Sequence, residues 1–214
     1  MIYMMGIKEF KKWPISCKAG ILVILIYTIS ILVSWMFFPR PYSPLNNYLS
    51  DLGNYGWNPI GAYFFNFGCI FTSIALIPFY LGFRDWYPDE EKNKKLIIKV
   101  QIIGLLSAVS LAMIGIFSED FGFSHIFWSG IYFILNLSLL FLGSIILYRY
   151  EDTKVEVPFK RGGLIAFVIT ILNLSFVVYY FIFSTGPLLE WITVFCSLGF
   201  VALLVYYGRY ISKT

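Results

Sequence analysis

Residues 11–40 read KKWPISCKAGILVILIYTISILVSWMFFPR, and Ala19–Phe38 within them carries no charged side chain. At 1.5 Å per residue, a run of about 20 residues crosses the roughly 30 Å hydrocarbon core of a bilayer. Lys11, Lys12 and Lys18 precede it, as a basic leader would. A cleavable leader, however, has a shorter apolar region and a small-residue cleavage site. Trp35–Met36–Phe37–Phe38–Pro39 offers no such site, so the segment reads as a retained first span.

Five more runs of the same kind follow: Ile60–Phe83, Leu96–Phe117, His125–Tyr148, Gly163–Phe183 and Leu188–Tyr207. A chain 59% hydrophobic and 13% charged is too apolar for an ordinary soluble domain. The expected fold is therefore an all-α integral membrane protein, a six-transmembrane-helix bundle forming one membrane domain over residues 1–214. Six spans leave no residues for a second domain.

Charge sets the expected orientation. Of the sixteen Lys and Arg residues, all but Arg40 fall in every second gap: Lys8–Lys18, Arg84–Lys99, Arg149–Arg161 and Arg209–Lys213. By the positive-inside rule those gaps and both termini are cytoplasmic. The +4 net charge is then explained without a nucleic-acid partner. Aromatic residues crowd the span ends (Trp13, Trp35, Trp86, Trp128, Tyr207), as interface anchors do. Cys17, Cys69 and Cys196 are scattered and lack metal spacing, so no structural disulfide is expected.

Two outer gaps are short, Ser118–Ser124 and Ser184–Pro187, making tight antiparallel hairpins of the spans on either side. The first, Pro39–Pro59, is longer. Ser43–Pro44 reads as an N-cap with Pro at the first helical position, and Leu45, Tyr48, Leu49 and Leu52 follow at helical spacing before Gly53. A short external interfacial helix is expected there, its other face carrying Asn47, Ser50, Asp51 and Asn54.

No Asp, Glu, Lys, Arg or His lies near the middle of a span, which counts against an ion-coupled transporter. The polar groups inside are neutral: Asn66, Asn136 and Asn173, read first as interhelical hydrogen-bonding residues. Gly104, Ala108 and Ala112, four apart, allow a close helix crossing. Every reactive group on the outer side clusters at the helix mouths: Arg40, Ser50, Asp51, Ser118, Glu119, Asp120, His125 and Glu190.

His125 is the chain's one histidine and opens span four, five residues after Asp120. An imidazole there can exchange protons or ligate a metal, with a carboxylate fixing its tautomer. The catalytic candidates are thus His125, Asp51 and Asp120. The same three are the candidate ligands of a divalent metal, oxygen-rich enough to suit Mg²⁺ or Ca²⁺ better than zinc. Asn47, Ser50, Asn54, Asn66, Ser118, Glu119, Arg40 and Glu190 are candidates for holding a polar head group. A bland alternative stays open beside each: a hairpin cap for His125, a solvated turn for Ser118–Asp120.

Tyr42–Ser43, Leu49–Ser50–Asp51–Leu52–Gly53, Asn58–Pro59 and Asn66, with Gly115–Ile116–Phe117–Ser118–Glu119–Asp120 and His125, resemble the motifs of a prokaryotic membrane family. It is the one catalogued as domain of unknown function 998, a distant relative of the Frag/DRAM/Sfk group. Ser118 stands where that family usually has proline. The resemblance implies about six spans and an external polar site including Ser50, Asp51 and His125, in a prokaryotic plasma membrane. Through a wider relative that remodels lipid-anchored glycans it implies lipid chemistry.

Three functions follow as expectations. The leading one is an outward-facing polar site at headgroup depth that binds a membrane lipid or small amphipathic ligand. Another is a membrane-embedded lipid hydrolase or acyl-transfer enzyme using His125 with Asp51 and Asp120. The third is a transporter.

Overall fold

The computed structural model describes residues 10–86, 91–150, 159–183 and 186–211, without the side chains of 91, 92 and 180–183. Six long helices fill it: α1 (Ile15–Met36), α2 (Gly61–Leu81), α3 (Glu91–Ile116), α4 (Phe123–Arg149), α5 (Phe159–Phe183) and α6 (Leu188–Ile211). Among the described residues there is no strand. All six are long and apolar enough to cross a membrane, which makes the chain a multi-pass membrane protein. The Arg84–Lys99 and Arg149–Arg161 gaps and the Ser184–Pro187 turn lie partly outside the described residues.

Each helix contains its expected span nearly whole, and α1, α3 and α5 begin four or five residues earlier. Composition marks where lipid starts, whereas the backbone ladder continues into the headgroup zone, so the helix outlasts the apolar run.

Successive helices pack side by side, α1 through α6, and α6 closes back on α1. The result is a ring. Its outer wall is as apolar as its interior: Leu22, Leu25, Ile29 and Leu32 on α1 are 50–55% exposed, a lipid-facing row that water would not tolerate on this scale. With lipid outside, packing and polar contacts must hold the helices together. Gly104 lies under the Tyr80 ring, where a Cβ would come within 2.3 Å, so α2 and α3 approach closely there. Gln101 donates to the Tyr80 and Leu81 carbonyls, Asn173 to Thr193, Asn136 to Ser197, and the Cys17 thiol to Val205. Asn136 and Asn173 thus do the interhelical bonding expected of them, whereas Asn66 bonds the Gly53 carbonyl in the loop after α1. The cysteines are free.

Because the spans alternate in direction, the loops after α1, α3 and α5 share one end. That acidic end carries Asp51, Glu119, Asp120 and Glu190. The other, basic end is sealed by aromatic packing that runs from Phe79 through Phe83, Trp86, Tyr150 and Phe159 to Tyr207.

The loop after α1 differs from expectation. Instead of a helix through Ser43–Leu52 there is a turn over Ser43–Asn47 and a single 3-10 turn, Ser50–Gly53. The side chains explain it. Asp51 and Asn47 accept backbone N–H groups of Tyr48 and Ser43, and Tyr42 donates to the Tyr48 carbonyl. Such bonds compete with an i→i−4 ladder. The faces change accordingly: Leu49 and Leu52 plug the ring mouth, Leu45 is exposed, and Asp51 turns inward.

Candidate functional site at the acidic end

Neutral amides anchor the mouth. Asn58 is fully buried, and its Nδ2 reaches the Ser34 carbonyl (3.2 Å), the Ser34 hydroxyl (3.0 Å) and the Leu52 carbonyl (3.0 Å). Its Oδ1 accepts the Gly61 N–H at 3.2 Å, capping the start of α2. Ser34 also donates to Leu52 at 3.1 Å, and Asn66 donates to the Gly53 carbonyl at 2.9 Å. Gly53 must be a glycine, since a Cβ would sit 2.6 Å from Asn66 Oδ1 and 2.7 Å from the Phe65 ring. Ser34 and Asn58 were not among the residues singled out for a site. In the sequence Asn58 figures only in the Asn58–Pro59 motif of the family resemblance.

Pinned in this way, the 3-10 turn points Asp51 into the bundle, 3% exposed. Its Oδ2 accepts the Tyr48 N–H at 3.0 Å and Asn47 Nδ2 at 3.3 Å. Its Oδ1 is shut off from solvent and has no donor. Glu119, from the 3-10 turn Glu119–Phe121 between α3 and α4, presents an equally enclosed and donor-less Oε2. The two carboxyls lie within hydrogen-bonding reach of one another, with Asn54 beside Glu119. Burial, and then the facing Asp51 charge, push Glu119 up to about 7. Burial also raises Asp51, offset in part by its bonds to Asn47, Glu119 and Tyr48. One proton shared between the pair satisfies both orphan oxygens.

Glu190, near the start of α6, comes from the third side. Its Oε2 accepts the Leu49 N–H at 2.9 Å, and its carboxylate also takes the Ser50 N–H, within electrostatic reach of Asp51 and Glu119. Trp191 beside it donates to the Asn47 carbonyl at 3.0 Å and packs against Trp35 and Tyr42. Trp191 was not singled out from sequence. Three elements distant in the chain therefore bring two carboxyls together and a third within electrostatic reach of them.

Asp120 faces away from them. Partial burial pulls it upward, but the Tyr55 and Gly56 N–H groups and the Ser118 hydroxyl, at 2.8, 3.2 and 3.0 Å, hold it below the usual carboxylate range. His125 is buried, and its Nδ1 lies 2.8 Å from the Phe117 carbonyl. A carbonyl only accepts, so Nδ1 carries the proton and stitches the α3–α4 hairpin. Among the described residues no three His, Cys, Asp or Glu side chains gather to hold a metal ion. Asp51, Asp120 and His125 thus do not form the expected triad: the first faces Glu119, the second a loop backbone, the third its own hairpin. Arg40 is exposed and forms no ion pair with these acids.

Compared with known proteins, residues 21–207 match the model of a family described as "Protein of unknown function (DUF998)". No curated protein and no solved structure matches the chain.

Proposed function

The chain belongs to the DUF998 family, and we propose that it recognises the cationic head group of a lipid or small amphipathic ligand at its acidic end, without chemical turnover. One observation carries this reading. Asp51 and Glu119 lie within hydrogen-bonding reach of one another, each with an enclosed, donor-less carboxyl oxygen, with Glu190 nearby and, among the described residues, no basic side chain paired with them. Such a set lacks what a protonated amine supplies, a positive charge with several N–H donors. The half-buried faces of Glu119 and Glu190 give access from the headgroup zone, and the ligand's tail stays in lipid.

We place the acidic end outside, because fifteen of the sixteen basic residues lie in the opposite gaps. The binding reading stands above the hydrolase reading because His125, the one histidine, is engaged by its hairpin and bonds to none of the acids.

Ammonium and proton compete for the same oxygens. Affinity should therefore rise as pH increases through about 7, where Glu119 gives up its proton. The test is native mass spectrometry of the protein released from nanodiscs of mixed phosphatidylethanolamine and phosphatidylglycerol. Phosphatidylethanolamine should be retained preferentially at pH 8, and the preference should drop at least tenfold in the Asp51→Asn, Glu119→Gln double variant. Equal retention of both lipids by the wild type would rule the reading out.

A further inference from the structure

We propose that the ring holds a second binding site, at mid-span, for a small neutral hydrogen-bonding molecule: water or a short polyol. The interior contains a cavity of ≈ 40 Å³ walled by α1, α2, α3, α4 and α6. At about 10–15 Å³ per water on this scale, it takes roughly three waters or one small solute.

Its polar groups form a layer. Tyr27, Thr72, Tyr132, Asn136 and Ser197 line it from four helices. Counted along their helices at 1.5 Å per residue, all five lie about 13 to 20 Å below the acidic end, near the middle of a bilayer. None is ionisable near neutral pH, so a charged ligand would find no counter-charge there. On the basic side the floor is aromatic, formed by Phe79, Tyr80 and Phe83.

Thr72 shows that the layer has a ligand to satisfy. It is 2% exposed, and its hydroxyl has no partner. Hydroxyls inside helices usually fold back onto the carbonyl four residues earlier. Ser110, Ser144, Thr170 and Ser197 all do so here, at 2.6–3.0 Å. Thr72 forgoes that bond while lining the cavity. A buried hydroxyl left alone is costly, and a cavity with several polar groups on its wall, unlike a wholly apolar one, holds water. The site is independent of the acid cluster, so failure of one leaves the other standing.

Water-edited solid-state NMR of the protein in lipid nanodiscs tests it, together with Thr72→Val, which keeps the side-chain volume. Magnetisation should pass from water to Thr72 and Asn136 at least fivefold faster than to Leu140, which is fully buried away from the cavity. Thr72→Val should slow that transfer and lower Tm. Deuterated glycerol that saturably suppresses the transfer identifies a polyol site, and no suppression identifies water as the occupant. Transfer to Thr72 no faster than to Leu140, with Thr72→Val raising Tm, would overturn the proposal, because removing an unsatisfied hydroxyl from a dry gap stabilises.

Discussion

Asn58 and Asp51 sit seven residues apart in one loop, both buried, yet their surroundings are opposite. Every bonding group of the Asn58 side chain has a partner, on α1, in the 3-10 turn and at the start of α2. One oxygen of Asp51 has none and meets another carboxyl instead. A satisfied buried polar group specifies structure, whereas an unsatisfied one stores a need that a proton or a ligand can meet. The amides hold the loop down so that the carboxyls can be held together.

That division makes the two halves respond differently to mutation. Asn58→Ala should have the largest effect. It removes several bonds and strands the Gly61 N–H, at a cost on the order of 3 kcal/mol. Thermal unfolding in a neutral detergent should show this loss equally at pH 5 and pH 8. A loss confined to one pH would mean that Asn58 acts through the acids.

Glu119→Gln should do the reverse. Glu119 has a raised pKa, so the folded state binds its proton more tightly than the unfolded state does. Its contribution is thus fully present below the ordinary carboxyl range and is lost as pH rises to about 7. The carboxyl facing it is Asp51, with the Asn54 amide beside it, and Asp120 and Glu190 act on it only through their charge. A glutamine amide donates to Asp51 Oδ1 without carrying charge. At pH 8 the variant should gain roughly 1–2 kcal/mol, and at pH 4 almost nothing. Destabilisation at pH 8 would show that the pair is not in conflict.

Asp120→Asn, one residue along, should invert the sign again. Asp120 has a lowered pKa, so its contribution is present above the ordinary carboxylate value and disappears as pH falls through its depressed one. Weakening its bonds to Tyr55 and Gly56 should cost no more than about 1 kcal/mol at pH 7, since the group is exposed. Proteolysis within the loop after α1 should speed up modestly. Unchanged proteolysis would place the loop's hold entirely on Asn58 and Asn66.

The six helices were readable from sequence because lipid imposes one requirement, about 20 apolar residues, that neutral loops do not imitate. The ring was not, since which helices touch depends on small contacts such as Gly104 under Tyr80. At the acidic end the residue types were legible and their directions were not. Glu119 and Asp120 are adjacent acids in one short turn, and only the turn's geometry sends one against Asp51 and the other to the Gly56 backbone. Likewise the spacing of Leu45, Tyr48, Leu49 and Leu52 suited a helix, but Asp51 and Asn47 claimed the N–H groups that a helix needs. Periodicity reports apolar faces and is silent about side chains that cap backbone.

His125 provides the smallest and most discriminating break. Its position beside Asp120 invites a catalytic or metal-binding role, yet its Nδ1–H serves the Phe117 carbonyl across the hairpin. A hairpin stitch predicts that His125→Ala costs about 1 kcal/mol, the worth of one hydrogen bond, and leaves phosphatidylethanolamine retention within twofold. His125→Asn, whose Nδ2 can approach the place of Nδ1, should recover most of the stability. A site residue predicts the opposite split: Tm unchanged in both variants, and lipid retention lost in both. That second outcome would move the binding site from the Asp51–Glu119 pair toward the α3–α4 hairpin, making Asp120 rather than Asp51 its acid.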